Sequence, residues 1–227
     1  MNKAEKMLLS IVRFNILRKF LFVCIDYLTQ NALTFIYLYD IMIKNMKNTE
    51  RVNVMEIRYI TPDDNLAEIS RIYEQSWKHT YKGMLSKRYL NSITEGEWIE
   101  KISQCGTNSL VMLHNGKYIG TVSFGSSHIS QFDGWAEIFS IYFLPEYTGQ
   151  GLGIILMNHV IAELRRLGYQ RIFLFALEKN LSAIRFYKKY GFTTSGVMMK
   201  NRFGRKVVNE IMYVYDMSQD YTGKFSS

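Results

Sequence analysis

Proline and cysteine are both scarce in this chain of 227 residues, which has two of each. Cys24 and Cys105 stand far apart with no metal-ligand spacing around them, which excludes a disulfide scaffold or a zinc module. That usage suits a reducing compartment, the cytoplasm. Long apolar runs are missing too. Between Met7 and Ile43 the apolar character is broken by Arg13, Arg18, Lys19, Asp26 and Asp40. The longest uncharged stretch, Tyr27 to Tyr39, falls short of the roughly 20 residues of a membrane-spanning helix, so stable membrane insertion is not expected. A secretory signal fits no better, because Arg13 interrupts the apolar region and no small-residue cleavage site follows. Strong charge of one sign is also lacking. The net charge of +8 divides into eight Lys or Arg against four Asp or Glu in residues 1–54, and twenty against sixteen thereafter. That surplus suits a polyanionic small molecule and is too weak to imply nucleic acid.

None of the 15 glycines and neither proline lies before residue 55, so composition changes sharply near Met55. Residues 1–54 read as an N-terminal extension of one or two helices. Two other readings stand beside it: a basic amphipathic segment lying on a membrane surface, or an upstream extension before a functional unit that starts at Met55.

What is present is organised around residues 135–153, WAEIFSIYFLPEYTGQGLG. Ala136, Ile138, Ile141, Phe143 and Leu144 predict a buried strand, which Pro145 ends because it has no N–H. Gly149, Gly151 and Gly153 then form a turn open to positive φ and to close approach of another molecule. Leu152, Ile155, Leu156, Ile161, Leu164 and Leu167 recur at helical spacing, and Gly168 closes the helix. A strand, a glycine turn and a helix N-terminus together cradle an anion, since unpaired amides and the helix dipole both favour negative charge. Neither common nucleotide loop fits. Ile154 and Ile155 stand where a Walker A loop needs Lys and Ser or Thr, and the dinucleotide pattern fails at Ile154 and Leu156.

Other elements follow in α/β order. Glu56 to Ile60 alternates as a strand, and Thr61 to Asp64 form a turn with helix-capping chemistry. Leu66, Ile69, Ile72 and Tyr73 share one helix face, and Trp98, Ile99 and Ile102 suggest another short helix. Ser109–Leu113 and Lys117–Phe124 flank Asn115-Gly116, a hairpin signal. Arg171–Leu177 is apolar enough to lie inside a sheet, parallel to the central strand across the crossover helix. Thr193–Met199 and Lys206–Met217 read as a closing hairpin, and residues 218–227 as a polar tail.

Two segments carry a resemblance. Thr148-Gly149-Gln150-Gly151-Leu152-Gly153 is similar to the pyrophosphate loop of the GNAT superfamily of acyl-CoA N-acyltransferases, with Thr148 in place of the usual Gln or Arg. Further on, in NLSAIRFYKKYGF, Asn180, Ala183, Phe186, Tyr187, Gly191 and Phe192 match every position of the family's second signature. The resemblance implies a GNAT-like domain over residues 55–217, with a mixed, splayed central sheet of about six to seven strands and helices on both faces. It also implies acetyl-CoA in the gap between the strands ending near Leu144 and Leu177, with no metal. The pantetheine arm would pair with the backbone of Ile141 and Phe143, the diphosphate would meet residues 148–153, and Asn180 and Ala183 would line the arm. Tyr187 matches the general acid that protonates the CoA sulfur, and Glu137 stands at the spacing of a strand glutamate acting as general base, directly or through water. The alternatives are a core tyrosine and a solvent-side carboxylate. Trp77, His79 and Tyr81 fall in the segment that walls the acceptor site, where packing of the two aromatics and solvation of His79 is the competing reading. His114, His128 and His159 are expected to be structural. The acceptor is an amine of a small molecule or protein, and a homodimer stays open. A CoA-sensing module without turnover is the alternative function, with Thr148 its support.

Overall fold

The computed structural model describes Arg18, Tyr39, Asp40 and residues 54–103 and 108–218. The chain divides into two units, Met1–Asn53 and Val54–Ser227. Of the first, the three described residues are helical and exposed. The rest of the expected extension, Cys24, Cys105 and the tail after Ser218 lie outside the described residues.

In the second unit, β1 (Met55–Tyr59) leads into α1 (Leu66–Thr80), followed by the short helices α2 (Lys87–Asn91) and α3 (Ile99–Ser103). Then come β2 (Asn108–His114), β3 (Lys117–Ser126), β4 (Ala136–Phe143), α4 (Leu152–Arg166), β5 (Arg171–Leu177), α5 (Leu181–Tyr190), β6 (Thr193–Phe203) and β7 (Lys206–Asp216). The strands form one mixed sheet in the order β1-β2-β3-β4-β5-β7-β6. Only β4 and β5 are parallel, as a strand-helix-strand crossover requires. Asn115 at φ 51° and Gly116 at φ 79° make the two-residue turn between β2 and β3, the positive φ pair that matches strand twist.

Apolar side chains fill both faces of the sheet. On one side Leu156, Val160 and Leu164 of α4, with Phe192, pack on Val122, Phe124, Ile138, Ile172 and Leu174. On the other, Ile69 and Tyr73 of α1 join Leu90, Trp98 and Ile102 against Val111, Leu113 and Leu177. Along α4 the buried stripe is Leu156, Met157, Val160, Ile161 and Leu164, whereas Ile155 and Leu167 are exposed. Ile155 points off the stripe, and Leu167 follows the last helical residue.

The cap of α1 falls one residue later than the turn chemistry suggests. Asn65 accepts from the amides of Ala67 and Glu68, which leaves Asp64 for another task. Arg58 grips its carboxylate at 2.7 Å through each of two nitrogens, and Tyr118 and the Thr61 amide also donate to it. The guanidinium holds the Asp64 carboxyl well below the usual carboxylate range. A depressed folded pKa contributes stability above the ordinary value of 3.8 that is lost on acidification. Asp64→Asn is therefore expected to cost about 2 kcal/mol near neutral pH, because it strands a part-buried guanidinium. Denaturant unfolding should find the difference smaller in acid; an unchanged midpoint at neutral pH would count against the pair.

Candidate active site

Strands β4 and β5 pair at only three positions, Ala136, Glu137 and Ile138 opposite Ile172, Phe173 and Leu174. Beyond Leu174, β5 stays with β7 as far as Leu177, while β4 stays with β3 as far as Phe143. The two strands therefore part. On the β3 side, Ser123 faces Ser140 and Phe124 faces Ile138, so Phe139 is a bulged residue at the parting point. From Phe139 onward no described strand pairs with the β5-facing edge of β4.

A cavity of about 400 Å³ fills this V. Ile141 and Phe143 line it from β4, and Asn180, Ala183, Phe186 and Tyr187 line it from the segment that opens and forms α5. At its mouth the chain runs from Pro145 through the glycine turn into α4, and Thr148, Gly149, Gly151 and Gly153 line it there. Gly149 and Gly151 take φ of 74° and 80°, values that L side chains rarely adopt. Thr148 turns its hydroxyl back onto the Pro145 carbonyl at 2.8 Å. Gln150 does the same with its amide to Glu146 at 2.6 Å, and Leu152 packs on the core, so these two side chains do not line the cavity. The amides of residues 149–153 donate to no acceptor among the described residues, and no side chain caps the helix at Gly151. Unengaged amides at the start of a helix of 15 residues form an anion site.

Asn180 is buried, and its side chain accepts from the Ala183 amide at 3.2 Å, which starts α5 and fixes the face it turns to the cavity. On that face Tyr187 is 8% exposed, and its hydroxyl makes no hydrogen bond to a described residue. Burial, with the neighbouring Tyr142 adding to it, pushes this phenol well above its ordinary value and keeps it protonated. Tyr81 also lines the cavity, its hydroxyl 3.5 Å from that of Tyr142. Trp77 does not line it; its ring packs edge-on behind Tyr81 at 4.9 Å and against Phe203 at 5.5 Å. His79 is exposed.

Glu137 is buried at 4% exposure and lies outside the cavity lining. Its carboxylate meets the exposed His128, whose Nδ1 is 2.7 Å from Oε2. His128, expected to be structural, stands against Glu137, a contact that no spacing rule foretells because a loop separates the two. Burial raises the Glu137 pKa above 4.5, and the His128 charge partly opposes the rise. A carboxyl with a raised folded pKa contributes its stability below 4.5 and loses it as pH climbs through the folded value. Glu137→Gln is thus expected to raise Tm near neutral pH, with the gain closing toward pH 4.5. Calorimetry across that range checks it, and a lower Tm at neutral pH would mean that the His128 contact outweighs burial.

Among the described residues no three His, Cys, Asp or Glu side chains come together as metal ligands, and no helix is long and apolar enough to cross a membrane.

Residues 66–192 match the acetyltransferase (GNAT) family. The chain is 31% identical to an L-methionine sulfoximine/L-methionine sulfone acetyltransferase of Salmonella typhimurium, over 66% of this chain and 88% of that one. It is 26% identical to a spermidine N(1)-acetyltransferase of Thermoplasma acidophilum, over 61% and 88% of the two chains. Among solved structures, a Salmonella typhimurium protein holding its cofactor acetyl-CoA superposes with a TM-score of 0.56 and 26% identity, covering 73% of this chain and 95% of that one. Sheet order, the parted β4 and β5, and the glycine turn are the frame on which these matches fall, and the chain belongs to the acetyltransferase (GNAT) family of acyltransferases.

Proposed function

We propose that the protein moves an acetyl group directly from acetyl-CoA to a primary amine of a small molecule or protein. One observation carries the reading: the unengaged amides of residues 149–153 stand at the mouth of the V between β4 and β5. Those amides would hold the diphosphate, and the free edge of β4 at Ile141 and Phe143 offers main-chain groups to the pantetheine arm, as an added strand would use them. Asn180 and Ala183 would border that arm. Thr148 offers no long side chain to the phosphates, so the grip falls on the backbone.

Tyr187 is assigned as the general acid. Its hydroxyl is unbonded and kept neutral by burial, so it holds a proton for the departing sulfur. The raised pKa is no obstacle, because a thiolate formed in the same apolar cavity is disfavoured for the same reason. Glu137 is assigned as the general base. It lies outside the cavity lining, so the amine's proton would reach it through water, and desolvation brings its affinity for a proton closer to what such a base needs. Trp77 positions Tyr81 at the acceptor wall rather than meeting the acceptor. In this reading residues 55–217 carry the activity in the cytoplasm, with 1–54 an extension and 218–227 a tail. Thiol release from acetyl-CoA across a panel of amines tests the reaction, and calorimetry with CoA tests the site. Folded protein that gives no heat with CoA would end the proposal.

A further inference from the structure

The acceptor side of the cavity is aromatic and uncharged. Ser76, Thr80 and Tyr81 border it from the end of α1, Phe139 and Tyr142 from β4, and Phe175 from β5. We propose that the acceptor is a small monoamine with an apolar body, carrying neither a carboxylate nor a second cation. This rests on the amine-acetylating reading above and narrows it.

The wall is rigid. Tyr142 packs edge-on against Tyr73 at 5.2 Å, Tyr81 edge-on against Trp77 at 4.9 Å, and Tyr73 stacks on Trp98 at 5.7 Å. A second aromatic layer thus backs Tyr142 and Tyr81. Burial pushes Tyr81 up to about 12 and Tyr142 well above its ordinary value, so both hydroxyls are neutral donors and acceptors at working pH. Lys189 is the one charged side chain among the described residues that line the cavity, and it belongs to α5 with Ala183 and Tyr187. The carboxylates nearby are engaged elsewhere: Glu137 meets His128 at 2.7 Å, and Glu210, whose field reaches Tyr81, accepts from Asn201 at 3.2 Å. Neither lines the cavity.

An alkylammonium entering this space loses water and recovers part of the loss against ring faces. The remainder lowers the amine's own pKa, so desolvation itself helps supply the neutral nucleophile that attack on a thioester requires. The apolar body of the acceptor meets apolar walls. A second ammonium would be desolvated with no carboxylate to meet it, and an acceptor carboxylate would find no cation on this wall. The acceptor class is therefore distinct from the polyamine and the amino-acid analogues for which two relatives are named.

Two matched pairs test this with the full chain and acetyl-CoA. Hexylamine and cadaverine differ by a terminal methyl in place of an ammonium; phenethylamine and phenylalanine differ by one carboxylate. The expected kcat/KM is about 100-fold or more higher for the first of each pair. Thr80→Glu, which adds a carboxylate at the half-buried end of α1, is expected to shift the cadaverine-to-hexylamine ratio at least about tenfold toward cadaverine. Calorimetry with acetyl-CoA runs alongside. If the cofactor binds and the charged member of either pair is preferred, or none of the four amines is acetylated, the acceptor class is overturned while the acyltransferase reading stands. If the cofactor does not bind, both fall together.

Discussion

Tyr187→Phe is expected to lower kcat by about 100-fold while the dissociation constant for CoA stays within about twofold. The substitution removes one oxygen from a ring that is otherwise packed against Phe186, Phe192 and Tyr213, so the ring's packing survives. The hydroxyl makes no hydrogen bond to a described residue, so its loss breaks no link among those residues and Tm should hold. On the assignment of Tyr187 as general acid, what disappears is a proton held for the departing sulfur, a demand that arises only as the thioester breaks. A loss confined to kcat is the signature of an interaction made in the transition state alone. The same measurement separates an enzyme from a CoA-sensing module, because a sensor would show unchanged CoA binding and no turnover to lose. Unchanged kcat in a working enzyme would move the acid role to another hydroxyl of the cluster, with Tyr142 the first candidate because it lines the same cavity.

The parts of the molecule legible in the sequence are those where local chemistry leaves few choices. The segment from β4 through the glycine turn and α4 to β5 was readable because strand character, chain-breaking glycines and helical periodicity succeed one another without ambiguity. Asn180 could be expected to start α5 for the same reason: an Asn before an amphipathic run finds an orphan amide at Ala183. Edges and contacts across loops were not readable. β6 extends to Phe203, past the expected Met199, because it is exposed along most of its length and shows no alternation to mark its end. The bulge at Phe139 depends on how β3 and β4 register against each other, which no single strand encodes. Which loop side chains face the cavity was hidden too. Gln150 and Leu152 belong to the turn, yet the first bonds back to Glu146 and the second packs inward, because the positive φ at Gly149 and Gly151 redirects the residues beside them. Likewise Trp77 and Tyr81 fall in one aromatic stretch, and only packing decides that Tyr81 meets the cavity while Trp77 braces it.

Gly151→Val should raise the dissociation constant for CoA at least about 100-fold, for a reason separable from stability. At φ 80° a β-branched residue is strained by about 1–2 kcal/mol, which in a domain of this size corresponds to a Tm lower by about 2–8 °C. Its two chain neighbours aside, no described residue has an atom within 4 Å of the position a Cβ would take, so none of them must move to admit it. Gly151 lines the mouth of the cavity, so the added side chain takes up open space beside the amides of residues 149–153. Gly153 is a poorer probe, because a Cβ there meets the Phe186 ring at 3.3 Å and would disturb α5 as well. S-acetyl-pantetheine, which has no diphosphate, should be used about equally by the wild-type protein and Gly151→Val, since it asks nothing of the turn. A variant that loses a few degrees of Tm yet binds CoA as before would show that the glycine serves the fold of the turn and that the diphosphate is held elsewhere.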